Sequence, residues 1–69
     1  MDEQWEVIFR STASYKAEIL KAILEENEIP SFVINKQDSS YFIGEIELYV
    51  KQNDVLIAKQ ITTRFEANE

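Results

Sequence analysis

The hydrophobic positions of this chain recur with a period of two in three short segments and with a helical period in two longer ones. In the first segment, residues 4–10, Trp5, Val7 and Phe9 share one face, while Ile8 lies on the other face among charged residues. A period of two is typical of a half-buried β-strand. We therefore predict a first strand over residues 4–10 whose aromatic face packs against the core.

Two further segments show the same alternation. In residues 31–35, Phe32 and Ile34 share one face and Val33 takes the other. The alternation in residues 45–50 has no interruption, with Ile46, Leu48 and Val50 directed inward and Glu45, Glu47 and Tyr49 directed outward. The nine residues 36–44 join these two strands and form the longest connection in the chain.

Two segments carry apolar residues at the spacing of an amphipathic helix. The first runs from Ala13 to about Asn27, with Ser11 or Thr12 as the expected cap, and Pro30 prevents its continuation. Its wide apolar sector contains Tyr15, Ala17, Ile19, Leu20, Ala22, Ile23 and Leu24. The second helix begins at residue 52 or 53 and ends at 66, and its buried stripe is predicted to be Ile57, Ala58, Ile61 and Phe65.

The order of these elements is β-α-β-β-α, which indicates an α+β fold formed by a single domain, residues 1–69. Consecutive strands two and three are expected to pair as a hairpin, with strand three between strands one and two. The predicted sheet is three-stranded and antiparallel in the order 1-3-2, with both helices on one face. This arrangement is ferredoxin-like and lacks the last strand. The expected core positions include Leu20, Ile23, Ile46, Leu48 and Ile61.

Charge and composition exclude several classes of function. The formal charge of −6 repels phosphate backbones and anionic lipid, so we expect neither a nucleic acid nor a membrane as partner. The chain has no cysteine and no histidine, which excludes disulfides and a Ser-His nucleophile and leaves no usual zinc ligands. An acidic N-terminus unlike a signal peptide indicates a cytoplasmic protein. No cofactor is expected.

Several short motifs together resemble one known family. They are Ser11-Thr12 before a helix containing Ala17-Glu18 and Ile23-Leu24, Glu28-Ile29-Pro30 before a strand ending at Asn35, Ile46-Glu47-Leu48-Tyr49-Val50, and Asp54 with Ala58. From about Trp5 to Phe65 the chain resembles the family named "putative prokaryotic signal-transducing protein". The resemblance implies a ferredoxin-like fold related to PII-like regulators and no established catalytic residue. Members of this family often have several glycines in the loop where this chain has only Gly44.

The sheet face away from the helices is the first candidate site. It is predicted to expose three apolar side chains among three acidic ones: Ile8, Val33 and Tyr49 with Glu6, Glu45 and Glu47. Such a face favours a docking surface for a partner subunit or a flat ligand, because exposed apolar patches are unfavourable unless covered. Scattered apolar residues on a sheet are also common without any function. We favour docking, because a small domain without disulfides gains from association.

The outward carboxylates suggest a second kind of site. Glu45 and Glu47 lie about 6.5–7 Å apart along one strand face, and Asp38 is in the preceding loop. Together they could hold a hard cation such as Mg²⁺ or Ca²⁺, or act as the carboxylate pair of a glycoside hydrolase. A solvated strand surface explains them more simply, so we expect no metal site and no catalytic residue.

Loop 36–44 contains the adjacent aromatic residues Tyr41 and Phe42. Aromatic residues in a loop can anchor a partner or fold back over the core edge. We predict that Phe42 and Ile43 form such a lid, and Tyr41 is a candidate for either role.

The expected function is a small, cytoplasmic, non-enzymatic regulatory or protein-interaction module. It would act through the open sheet face, the free edge of strand one or loop 36–44. The expected partner is a second copy, forming a homodimer, or another protein. The alternative is a small-molecule-sensing signal-transduction domain of the PII-like kind, although the chain has no Gly-rich or basic cradle for an anionic nucleotide.

Overall fold

The computed structural model describes residues 4–37 and 44–68. Its elements, in chain order, are β1 Trp5–Ser11, α1 Ser14–Glu26, β2 Ser31–Asn35, β3 Ile46–Lys51, a 3₁₀ turn Gln52–Asp54 and α2 Val55–Ala67. The predicted order and type of the elements are confirmed. The main addition is the 3₁₀ turn, which separates β3 from α2 and makes α2 begin two or three residues later than predicted.

The three strands form one antiparallel sheet in the order β1-β3-β2, as predicted. The central strand β3 is paired along both of its edges. Leu48, for example, lies opposite Phe9 of β1 and Val33 of β2. Because β3 contacts a neighbour on each side and carries the most buried side chains, it is the centre of the fold.

Both helices pack against the same face of the sheet, and the core lies between the helices and this face. Its buried residues are Phe9, Ala17, Leu20, Leu24, Ile29, Ile46, Leu48, Val50, Ala58 and Ile61. Of the five predicted core positions, Leu20, Ile46, Leu48 and Ile61 are buried, and Ile23 packs against this cluster while partly exposed. The prediction of the core is therefore confirmed at its centre.

The helices bury narrower stripes than predicted. Tyr15 and Ile19 of α1 are 62% and 48% exposed, and Ile57 of α2 is 56% exposed. In α2 the buried side includes Thr62, whose hydroxyl donates to the carbonyl of Ala58 at 2.8 Å. The prediction was wrong at these edge positions because each helix contacts a sheet of only three strands, which covers little more than one side of it.

The caps of α1 also differ in detail from the prediction. Ala13 occupies the N-cap position, and the Ser11 hydroxyl accepts a hydrogen bond from the Ala13 N–H at 3.0 Å, in the turn before the helix. At the other end, Glu28 has a positive φ of 62°, and the Ile29 N–H donates to the Leu24 carbonyl at 2.9 Å. This bond closes the last turn of α1 and directs the chain into β2.

A β-bulge in β1 places Trp5 and Val7 on the face opposite to the predicted one, while Phe9 keeps its predicted place in the core. Val7 lies opposite Tyr49 and Phe9 lies opposite Leu48, so Ile8 is the extra residue between them. A bulge inserts one unpaired residue and breaks the alternation of side chains. Phe9 therefore packs in the core while Val7 faces away from the helices. Ile8 packs against the core, so its predicted place on the open face is wrong.

The faces of β2 are also opposite to the prediction. Val33 lies opposite the buried Leu48 and packs against the core, whereas Phe32 lies opposite Tyr49 on the other face. A shift of one residue in register moves every side chain of a strand to the other face. The position of Val33 on the open face was wrong because β2 has apolar residues on both faces, and only its pairing with β3 decides between them.

Candidate functional site

The sheet face that neither helix covers is the candidate site, and we call it the open face. It consists of Trp5, Val7 and Arg10 of β1, Phe32 and Ile34 of β2, and Glu47, Tyr49 and Lys51 of β3. These side chains share a face because directly paired residues of antiparallel strands point to the same side. The open face contains an aromatic region at one end and a charged region at the other.

The aromatic region is a continuous stack across all three strands. The rings of Phe32 and Tyr49 are nearly parallel, with centroids 5.0 Å apart and an interplanar angle of 7°. Trp5 meets Phe32 edge to face at 4.8 Å, and the Lys51 ammonium lies 5.9 Å from the Trp5 ring. All three aromatic side chains are half-buried. We call these three residues the aromatic stack; aromatic pairs of this kind add stability beyond their buried area.

The charged region is built around Glu47. Its Oε1 accepts hydrogen bonds from the Tyr49 hydroxyl at 2.7 Å and from the Lys36 ammonium at 3.1 Å, and its Oε2 accepts one from Arg10 Nε at 3.1 Å. Glu47 itself is only 8% exposed, but the Arg10 and Lys36 side chains are 55% and 56% exposed. We call Arg10, Lys36 and Glu47 the charge cluster. Two positive charges and one negative charge give it a net charge of +1.

These contacts fix the protonation state of the cluster. Hydrogen bonds from Tyr49, Lys36 and Arg10 lower the pKa of Glu47 from 4.5 to about 2. The same carboxylate raises the pKa of Lys36 and the pKa of Tyr49, chiefly by accepting their hydrogen bonds. At neutral pH Glu47 is therefore ionised and holds two cations in place, which does not suit it to donate a proton.

Replacement of Glu47 should change how the stability of the domain depends on pH. The pKa of Glu47 is depressed in the folded state, so its contribution is complete above about pH 4.5 and is lost as the pH falls towards about 2. We expect Glu47→Gln to lower the melting temperature at pH 7 and to flatten its dependence on pH between 5 and 2. Thermal melts across this range measure both effects. Glu18→Gln, at an exposed position of α1, is the control and should follow the wild type; equal profiles for Glu47→Gln and the wild type would contradict the geometry.

Lys36 is placed by the backbone at the ends of β2 and β3. Its N–H donates to the Glu45 carbonyl at 3.1 Å. The next residue, Gln37, is held twice: its N–H donates to Asn35 Oδ1 and its side-chain amide donates to the Thr12 carbonyl, both at 2.8 Å. These bonds tie the start of loop 36–44 to the end of β2 and to the connection between β1 and α1, which places the backbone of Lys36 beside Glu47.

The structure places the residues predicted as the interaction surface in several different environments. Glu47 and Tyr49 lie on the open face, and Glu45 is exposed one residue before β3. Glu6 is exposed, but it lies opposite Val50 and so belongs to the helix side of the edge strand, contrary to the prediction. Ile8 and Val33 pack against the core. Tyr41 lies outside the described residues, as do Asp38, Phe42 and Ile43.

The predicted interaction surface omitted six members of the open face: Trp5, Val7, Arg10, Phe32, Ile34 and Lys51. It also omitted Lys36, which contacts Glu47 from the end of β2. The faces assigned to Trp5 and Phe32 were reversed by the bulge and by the register of β2. Arg10 is 37 residues from Glu47 in the chain, so no local pattern connects the two. The available signal was that Phe32, Val33 and Ile34 are all apolar, which permits either face for β2.

The contacts within the charge cluster argue against Glu47 as a metal ligand and against Glu47 as a residue on a solvated surface. Both of its carboxylate oxygens accept hydrogen bonds from side chains of the protein. Among residues 4–37 and 44–68, no group of three or more carboxylate, histidine or cysteine side chains is placed to hold a metal ion. The solvated-surface interpretation of Glu47 was wrong, because Arg10, Lys36 and Tyr49 surround it.

A groove on the helix side is a separate candidate site. This groove has a volume of about 320 Å³ and is lined by Ile23, Asn27, Ile61, Arg64, Phe65 and Asn68. The side-chain amides of Asn27 and Asn68 donate to the carbonyls of Ile23 and Arg64 in their own helices. Its lining is therefore mostly apolar, with the Arg64 side chain as its charged component.

The fold and the open face define the class of protein: a small α+β domain with an aromatic and cationic sheet surface. The family model described as "Putative prokaryotic signal transducing protein" matches residues 5–66, and the chain belongs to this family. No curated protein and no solved structure matches the chain. Neither described helix is long and apolar enough to cross a membrane.

Proposed function

We propose that this domain is a non-enzymatic signal-transduction module that binds a protein partner through its open face. The observation that carries the proposal is the aromatic stack beside the charge cluster on a sheet surface that neither helix covers. The family description is consistent with a role in signalling. The proposal places the module in the cytoplasm and requires no cofactor.

The composition of the open face supports a protein partner. Tryptophan, tyrosine and arginine are the residues most enriched among those that dominate binding energy at protein interfaces. Trp5, Tyr49 and Arg10 all lie on this face, and each is accessible to solvent. A sheet surface is broad and flat, which suits a protein better than a small molecule, since small ligands bind mainly in concave pockets.

Self-association is the first form of partner to consider. The sequence predicts a homodimer through the edge of β1 or through the open face. The bulge between Val7 and Phe9 makes β1 a poor template for edge pairing, because bulges are one means by which edge strands avoid it. If a homodimer forms, we therefore infer that it uses the open face, and Ile34→Lys tests it better than a change at Ile8, which packs against the core.

The second candidate function is small-molecule sensing, and the observation in its favour is the groove between the helices. Its volume of about 320 Å³ is at the lower end of the range for small-molecule sites. This location differs from the one expected from the sequence, between loop 36–44 and the sheet. We place small-molecule sensing second because the side-chain amides of Asn27 and Asn68 in the groove already donate to helix carbonyls, which leaves fewer polar groups to orient a ligand.

Site-specific photo-crosslinking in cells tests the proposed function. A photoreactive amino acid is placed at Val7 or Ile34, on two different strands of the open face, and at Thr63, an exposed position of α2, as the control. We expect both open-face positions to give the same discrete product and Thr63 to give none. Phe32→Ala, after its melting temperature has been checked, should reduce that product because it removes the middle ring of the aromatic stack.

The mass of the product identifies the kind of partner. A product of twice the mass of the chain indicates a homodimer, and any other discrete mass indicates a different protein. Both results support docking through the open face. Equal products from Thr63 and the open-face positions, or no product from Val7 and Ile34, would overturn the proposal and leave the groove as the better candidate.

A further inference from the structure

We propose that the open face recognises an acidic, extended segment of its partner: carboxylates of the segment bind Arg10 and Lys36, and an apolar side chain packs on the aromatic stack. This inference rests on the proposed function and specifies the chemistry of the partner. It treats Glu47 as a positioning residue, which holds the two cations side by side.

The charge of the open face is opposite to that of the whole chain. The chain has 13 acidic and 7 basic residues. Yet among the described residues, the open face together with Lys36 and Glu45 at its end contains three basic residues, Arg10, Lys36 and Lys51, and two acidic residues, Glu45 and Glu47. This part of the surface therefore has a net charge of +1. The chain as a whole has a charge of −6, but this face has a net positive charge. An anionic partner is therefore electrostatically complementary to it.

The charge cluster retains donors for such an anion. Arg10 engages Glu47 through Nε, and a guanidinium has five N–H donors in total. Lys36 likewise engages Glu47 with an ammonium that has three donors. Both side chains are more than half exposed, so their remaining donors are accessible to a carboxylate from outside.

The spacing of the two regions matches an extended peptide. Along β3, Glu47 and Tyr49 are two residues apart on the same face, which corresponds to about 6.5–7 Å between the charged row and the aromatic row. In an extended segment, side chains at positions i and i+2 have the same separation and point to the same side. An acidic residue and an apolar residue two positions apart would therefore reach the charge cluster and the aromatic stack together.

Two other occupants fit less well. A second copy docked face to face about a two-fold axis brings the same patch of both subunits together. Because that patch has a net positive charge, the two copies would repel each other electrostatically across the contact. A nucleic acid is repelled by the charge of −6 on the chain as a whole. A short acidic segment avoids both difficulties because it contacts only the cationic face.

The test uses a synthetic probe, a blocked seven-residue peptide with glutamate, phenylalanine and glutamate at positions two, four and six and serine elsewhere. Titration into the full chain is followed by two-dimensional amide NMR. We expect shifts at Arg10, Ile34 and Tyr49, and weaker binding as sodium chloride is raised, because exposed charges are screened. Arg10→Gln and Lys36→Gln should each weaken binding about two- to fivefold, as expected for exposed ion pairs. The control Lys59→Gln, on α2, should leave it unchanged.

Each outcome bears on one proposal. Equal binding of a probe with glutamine at both acidic positions would overturn the acidic chemistry and leave docking through the open face intact. Shifts confined to the helices, or no binding at all, would overturn this inference, while the crosslinking result would still decide the proposed function separately. Thermal melts of both glutamine variants come first, and either one that stays folded is sufficient for the comparison.

Discussion

Leu48→Ala is expected to reduce the free energy of unfolding by about 2–5 kcal/mol, as large-to-small changes in a core do. Leu48 is fully buried at the middle of the central strand, between Phe9 and Val33 of the two neighbouring strands. Small domains of this length rarely have more than about 3–5 kcal/mol of stability from a single core. The variant should therefore be largely unfolded at 37 °C, and urea denaturation followed by circular dichroism measures the loss.

Leu56→Ala is the matched control for this change. It removes the same atoms from a leucine that is 78% exposed on α2, so the loss should stay below about 0.5 kcal/mol. The ratio of the two losses isolates the contribution of burial. Similar losses for the two variants would mean that β3 does not occupy the centre of the core.

The central strand could be predicted from the sequence because its two faces differ chemically. Ile46, Leu48 and Val50 are aliphatic, whereas Glu47 and Tyr49 between them carry polar groups. Only one orientation buries the first set, and the structure has that orientation. With the two helices recognised from their spacing, this strand is enough to define the order of elements and the position of the core.

The faces of the outer strands could not be predicted in the same way. In β1 the period of two runs from Trp5 to Phe9 without any visible break, yet the structure has a bulge at Ile8. A bulge is a property of pairing with the neighbouring strand, and no glycine or proline in β1 indicates it. In β2 both faces are apolar, so only the pairing of Val33 with Leu48 determines which face of the strand packs against the core.

The candidate site was predicted only in part for the same reason. Glu47 and Tyr49 belong to the well-patterned strand, and both lie on the open face as expected. The side chains that contact Glu47 and Tyr49 come from the outer strands. Arg10 belongs to β1, Phe32 belongs to β2, and Lys36 directly follows β2. Sequence alone suggested an acidic surface, but pairing of the strands brings two cations to Glu47 and makes the cluster positive.

Gly44→Ala is the second change for which we expect a large effect, because it combines two penalties at the edge of the charge cluster. Gly44 has φ of +106°, a conformation that residues with a side chain rarely adopt. Forcing a residue other than glycine into such a conformation costs about 1–3 kcal/mol. In addition, a Cβ at this position would lie 2.6 Å from the carbonyl oxygen of Lys36 and 3.2 Å from its carbonyl carbon.

The steric conflict in Gly44→Ala should reach the charge cluster through the backbone of Lys36. Residue 44 is directly followed by Glu45, whose carbonyl accepts the hydrogen bond from the Lys36 N–H, so we expect relief of the conflict to displace the Lys36 backbone relative to Glu47. We expect a lower melting temperature at neutral pH together with a weaker dependence of stability on pH below about 4.5, because the lysine no longer helps to depress the pKa of Glu47. Glu45→Ala, an exposed neighbour, is the control and should change neither property greatly. A Gly44→Ala variant as stable as the wild type would show that the backbone of Lys36 does not approach Gly44 this closely, and the placement of Lys36 in the charge cluster would then fail with it.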